Sequence, residues 1–180
     1  MTAGGPGDAY PALRRAIRDV PDFPRPGIVF KDVTPLLADP DLYRVAVRAM
    51  SEPFLGAGIT HVVAIESRGF LFGGPVALAL GAGLVPVRKP GKLPYLTRRA
   101  EYELEYGTDA LEIHGDAFGS PARVLVVDDV IATGGTAGAT ARLVQQLGGA
   151  VAGYSFLIEL RFLNGRQRLG AVPAVAVLGY

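Results

Sequence analysis

The stretch Val124–Thr136, VLVVDDVIATGGT, decides how the rest of the chain is read. Val124 to Val127 are apolar and mostly β-branched, the pattern of a strand buried on both faces. Asp128 and Asp129 come where that strand leaves the core. Ala132, Thr133, Gly134, Gly135 and Thr136 then precede a helix predicted to begin near Thr136 and run through Ala137–Leu147. Glycine has no Cβ, so backbone can approach a ligand closely. Free N–H groups at a helix start attract an anion, and threonine hydroxyls add donors. The loop therefore reads as a cradle for one phosphate. It is not a Walker A loop, because no Gly-Lys-Ser/Thr follows. Two carboxylates beside a phosphate suit a sugar phosphate, whose neighbouring hydroxyls they can accept hydrogen bonds from. By itself the loop reads more readily as an acidic turn and a capped helix; the whole combination is more specific.

The same strand character recurs outward from this point. HVVAIE (His61–Glu66), LVPVRK (Leu84–Lys89), RVLVVDD (Arg123–Asp129) and VAGYSFLIEL (Val151–Leu160) read as strands, with an apolar helix around Pro75–Leu80. Continuous apolar strands alternating with helices predict an α/β fold: an open, mainly parallel twisted sheet flanked by helices. Leu13, Ala16, Ile17 and Val20 follow helical spacing, opposite Arg14, Arg15 and Arg18. PDFPRPGIVFKD is extended and turning, because its prolines forbid a regular helix. Asp41–Phe54 reads as a helix with Leu42, Val45, Ala46, Met50 and Phe54 inward and Asp39 or Asp41 as its cap. YELEY and ALEIH, around Gly107-Thr108-Asp109, predict an antiparallel hairpin. Parallel strands bring Glu66-Ser67-Arg68-Gly69, Arg88-Lys89 and Asp128-Asp129 to one sheet edge, where open α/β sheets place ligands.

Composition narrows the function classes. The chain has 180 residues, 49% of them hydrophobic and 19% charged, which suits a single globular domain. A net charge of +1 lacks the basic excess of a general nucleic-acid binder. With no cysteine, disulfides, thiolate-bound zinc and cysteine nucleophiles are excluded. The two histidines, His61 and His114, have no ligand spacing and read as ordinary strand-end residues. The uncharged run Gly69–Val87 approaches the length of a membrane span, but its glycines and prolines interrupt any single helix. No secretory signal opens the chain. A soluble, cytoplasmic protein with no membrane or nucleic-acid partner is expected.

VLVVDDVIATGGTAGA resembles the phosphoribosyl-pyrophosphate signature of the type I phosphoribosyltransferases. DFPRPGIVFKDVTPLL, ESRGFLFGGPVA, RKPGKLP and YELEYGTDALEIH resemble, in order, successive blocks of the family's adenine-specific branch. Together they cover most of Asp22 to Leu160. The resemblance implies a single transferase domain over 1–180. It would have an N-terminal hood at about 20–38, a flexible hairpin loop at about 92–110 and the phosphate-binding motif at 124–140.

The implied reaction joins adenine to phosphoribosyl pyrophosphate, giving AMP and pyrophosphate. Asp128, Asp129 and Ala132–Thr136 are carried over to the ribose and its phosphate. Arg68, Arg88, Lys89 and Lys92 are carried over to pyrophosphate, although a basic run is otherwise a solvated face. Mg2+ is implied on the pyrophosphate, held through substrate oxygens and water rather than by a protein cage. In LEYG, Glu105 takes the position proposed as acid/base for the purine, with Tyr106 beside it on the lid. Alternation alone would make Glu105 only the polar face of a strand. Ala132 stands where 6-oxopurine enzymes commonly carry an aspartate, so the proton has to go elsewhere. Val29, Phe30 and Lys31 are placed around the base, main-chain carbonyls accepting from its exocyclic amine. Lys31 stands where the pattern often has arginine. Leu160 matches an apolar position near the base and equally fits the core. A homodimer is expected from the family. A transferase for xanthine or another purine, or a non-catalytic regulator that binds the sugar donor, are the alternatives.

Overall fold

A strand apolar on both faces needs cover on both, and the chain supplies it around one five-stranded parallel sheet. The computed structural model describes residues 10–103 and 108–180. In chain order these form α1 (Pro11–Arg15), β1 (Arg18–Pro21), β2 (Val29–Asp32), α2 (Thr34–Ala38), α3 (Pro40–Ser51), β3 (His61–Ile65), α4 (Gly69–Leu80), β4 (Gly83–Val87), β5 (Thr97–Glu103), β6 (Thr108–His114), β7 (Arg123–Ile131), α5 (Gly135–Gln146), β8 (Ala150–Glu159) and β9 (Ala174–Gly179). The sheet order is β4-β3-β7-β8-β9, which places the opening stretch at its centre. β1 and β2 form a separate antiparallel ribbon, and β5 and β6 another.

Successive side chains of β7 point to opposite faces. Val124 and Val126 join Leu111, Ile113, Leu143 and Val144 in one buried cluster. Leu125 and Val127 join Leu36, Met50, Phe72 and Val76 in the other. Helices α3 and α4 thus cover one face, and α5 with the β5–β6 ribbon covers the other. The base of the hairpin is core: Ala100, Tyr102, Leu111 and Ile113 are buried. The connection at 104–107, and with it Glu105 and Tyr106, lies outside the described residues.

Several local expectations differ from the fold. The first helix stops at Arg15, and Val20 belongs to β1, opposite Phe30. Proline at 21 disfavours helical backbone at Val20, and pairing with β2 uses its main chain instead. Asp39 caps α3, accepting from the N–H groups of Asp41 and Leu42, and the helix ends at Ser51 before a 3-10 turn through Phe54. Val45 lies on its outer side, 42% exposed, while Ala49 is buried instead. β7 runs to Ile131, two residues beyond the predicted Arg123–Asp129 strand. β9 and α2 were not anticipated; each is short, and β9 alternates small residues with weak periodicity. His61 opens β3 and His114 closes β6, as strand-end residues.

Candidate active site

The carboxyl ends of β3, β4, β7 and β8, together with β2, surround a cleft of about 480 Å³. Val29, Phe30, Lys31, Arg68, Lys89, Asp128, Asp129, Ala132, Thr136 and Leu160 all line it. A smaller cavity of about 70 Å³ adjoins it, lined by Asp128, Thr133, Gly134 and Thr136 among others. Gly135 is the buried first residue of α5. Arg88 and Lys92 are not among the lining residues of the cleft and meet it through Glu66, which is. Glu66 and Tyr102 line the cleft without having been singled out in the sequence. Glu66 was legible only as the end of a strand, and Tyr102 only as an alternating hairpin residue.

The loop that leads into α5 is built from close backbone approach. Gly134 has φ +79°, a left-handed conformation that glycine adopts without penalty. A Cβ there would strike the carbonyl of Gly165, and a Cβ on Gly165 would strike the carbonyl of Ala132. The 3-10 turn Gly165–Leu169 therefore presses directly on the loop and fixes its path. No side chain caps the start of α5, so its first N–H groups remain for a ligand.

The aspartates form a strained electrostatic unit. Asp128 Oδ1 accepts the N–H of Asp129 at 2.9 Å. Arg68, the residue before α4, brings Nε within 2.8 Å of Asp129 Oδ2. No N–H is aimed along that contact, and Oδ2 is buried without a hydrogen bond. Burial pushes the Asp128 carboxyl well above its ordinary range, and the neighbouring Asp129 charge pushes the same way. Burial also raises Asp129, against the lowering influence of Arg68. A buried acceptor short of a donor is what hydroxyl hydrogen bonds would satisfy.

Glu66 organises the basic groups. It accepts Arg88 Nε at 3.0 Å, the Lys89 N–H at 3.1 Å, and the Lys92 ammonium. Burial alone would raise its carboxyl; these three hydrogen bonds outweigh burial and hold it below its ordinary value. The Lys89 ammonium pairs with Asp109 of β6 and lies 3.4 Å from the Tyr102 hydroxyl, joining the sheet edge to the hairpin.

On the side of the β1–β2 ribbon, Phe30 meets Phe23 edge-on at 5.1 Å. The Arg68 guanidinium lies 4.7 Å from the Phe30 ring centre. Lys31 bonds Asp19 at 2.6 Å and lies 4.3 Å from the centre of the Tyr180 ring. With its ammonium engaged there, the Lys31 main chain is what remains for a ligand. An anion cradle, a buried acid pair, a cationic group and an aromatic wall thus share one edge of a parallel sheet.

That combination defines a phosphoribosyl transferase domain, and the model of that family matches residues 33–161. Relatives narrow the class. The adenine phosphoribosyltransferase of Myxococcus xanthus (strain DK1622) is 58% identical over 168 residues, spanning 93% of this chain and 91% of the relative. The crystal structure of adenine phosphoribosyltransferase from Rhodothermus marinus superposes with a TM-score of 0.92 at 59% identity, covering 96% of this chain and 98% of that one. The Saccharomyces cerevisiae enzyme, solved with an imino-altritol bisphosphate and adenine, gives 0.89 at 44% identity over 94% of this chain and 98% of that one. The chain belongs to the adenine phosphoribosyltransferase family.

Proposed function

We propose that this chain transfers the 5-phosphoribosyl group of phosphoribosyl pyrophosphate to adenine, yielding AMP and pyrophosphate in purine salvage. The bond from ribose C1′ to pyrophosphate breaks as a bond to the base nitrogen forms, and the base gives up a proton. The observation that carries this reading is the uncapped start of α5 beside Asp128 and the buried, under-bonded Asp129.

In this reading Thr133, Gly134, Gly135 and Thr136 hold the 5′-phosphate, with Ala132 at the entrance of the loop. Asp128 and Asp129 accept the two ribose hydroxyls and keep the sugar still while charge develops at C1′. Arg68 and Lys89 meet the departing pyrophosphate, with Arg88 and Lys92 supporting them through Glu66. Phe30 and Leu160 flank the base. The carbonyls of Val29 and Lys31 accept from its amine, which a 6-oxo base could not offer; a buried acceptor facing an acceptor is costly. Glu105, which lies outside the described residues and is carried over by the resemblance, takes the proton.

Carboxylate and phosphate oxygens are the donor class a hard cation takes. Among the described residues no three His, Asp or Glu side chains are grouped to hold a metal by themselves. This donor set fits Mg2+ arriving with the donor, where the ion supplies neutralisation of the leaving pyrophosphate. We place the protein in the cytoplasm; no helix among the described residues is long and apolar enough to cross a membrane. We also assign it a homodimer, supported by Leu71 and Leu78 of α4 and Leu84 of β4, all exposed apolar residues. Light scattering of the purified protein checks this.

The functional test supplies adenine, hypoxanthine, guanine or xanthine with phosphoribosyl pyrophosphate and Mg2+. AMP formed from adenine, with no product from the 6-oxopurines, is expected. Product from a 6-oxopurine alone would overturn the base assignment, and donor binding without any nucleotide would overturn catalysis.

A further inference from the structure

We infer that Tyr180, which follows β9, is a positioning residue for base binding: its ring holds the β1–β2 ribbon in register with the cleft. This rests on the reading that Val29, Phe30 and Lys31 receive the base.

A two-stranded ribbon is marginal in water unless something anchors it. Here β1 and β2 share four paired positions and lie outside the main sheet. The pair Lys31–Asp19 is internal, since those residues face each other across the ribbon. Among the described residues, two cation–ring contacts reach from the ribbon to the body of the domain. One is the Arg68 guanidinium over Phe30. The other is the Lys31 ammonium over Tyr180, on a ring that also carries the Arg14 guanidinium at 4.7 Å.

Tyr180 is a firm post for such a contact. Its N–H donates to Glu159 at 2.9 Å, and its carbonyl accepts the Arg161 N–H at 2.8 Å. Arg14 donates to the neighbouring Gly179 carbonyl at 3.0 Å, bringing α1 to the same place. Arg68 is also a group that pyrophosphate attracts, so its hold on Phe30 weakens when it turns to the donor. Lys31 on Tyr180 does not compete with any substrate group and is the anchor that persists through the reaction. The aromatic face acts here, not the hydroxyl: Tyr180 Oη is buried and has no hydrogen bond.

The experiment compares Tyr180→Leu, Tyr180→Phe, Lys31→Met and Phe30→Ala in steady-state kinetics with adenine and donor varied separately, alongside Tm. Tyr180→Leu should raise the KM for adenine about three- to tenfold, the scale of one lost cation–π contact. Its donor KM and kcat should stay within about twofold. Lys31→Met should reproduce that selective effect. Tyr180→Phe should match the parent in adenine KM and equal or exceed it in Tm. A rise in both KM values of Tyr180→Leu together with a fall in Tm would show a general structural role and overturn the inference. An adenine KM unmoved by Tyr180→Leu, with Phe30→Ala raising it, would overturn the inference alone. An adenine KM unmoved by Phe30→Ala would remove the base-site reading and this inference with it.

Discussion

Arg68 Nε stands 2.8 Å from Oδ2 of Asp129, across the junction of β3 with α4 and the end of β7. One cation thereby moderates a buried carboxylate, the one that the proposed function assigns to the ribose hydroxyls. Replacing Arg68 by methionine keeps most of the bulk and removes the charge. The Asp129 carboxyl then rises further, and its charged form becomes more costly to bury. Arg68→Met should lower kcat/KM for the donor at least tenfold, on the order expected for losing a transition-state donor. Its Tm deficit should be largest at high pH and shrink as pH falls and the raised carboxyl takes up its proton. A pH series of melting curves with donor-saturation kinetics checks both halves.

Asp128 gives the opposite stability sign. Its folded pKa is raised by burial and by Asp129. The stabilisation this provides is full below the unfolded value, near 3.8, and is lost as pH rises through the folded value. Wherever the carboxyl is charged it is a cost to the fold. Asp128→Asn retains an acceptor for the Asp129 N–H and removes the charge. It should raise Tm at pH above the folded value, gain progressively less as pH falls toward the unfolded value, and increase donor KM at least tenfold, the loss of about 1.4 kcal/mol or more of binding.

Glu66 has a depressed carboxyl, so its stabilisation is present above about 4.5 and disappears as pH falls through the folded value. Glu66→Gln should therefore be less stable than the parent at pH 7. The difference should close at acid pH, as pH falls through the folded value. Denaturant midpoints at both pH values measure this directly. Loss of donor affinity should accompany it, because Arg88, Lys89 and Lys92 lose their common acceptor.

Gly165→Ala probes the cradle from behind. The added Cβ meets the carbonyl of Ala132 and the N–H of Gly134, both main-chain atoms that cannot swing aside. It should destabilise the protein by about 1–3 kcal/mol and raise donor KM more than adenine KM. Thermal melts and separate saturation curves distinguish this from a uniform loss of folded protein.

The sequence made some of these relationships visible and hid others for physical reasons. The β7 run, its two aspartates and the glycine–threonine loop were legible because burial, charge and backbone freedom are written in consecutive residues. The gathering of Arg68, Lys89 and Asp128–Asp129 followed from parallel strands sharing an edge. Gly165 and Tyr180 were not legible, because the approach of Gly165 to the loop and of Lys31 to Tyr180 crosses 31 or more positions and depends on tertiary packing. Glu66 looked like a strand end until its three hydrogen-bond donors were brought to it. Val20 had helical spacing, but cross-strand pairing with Phe30 and the following proline decided its conformation. The flanking of the hairpin base by α5 could not be read from alternation, which gives a face without naming what covers it.

The most direct test is a crystal structure of the protein soaked with AMP. The 5′-phosphate should lie on the N–H groups of Thr133–Thr136, with the two ribose hydroxyls within hydrogen-bond distance of Asp128 and Asp129. Nucleotide bound on another face, with the start of α5 and both carboxylates untouched, would contradict this placement.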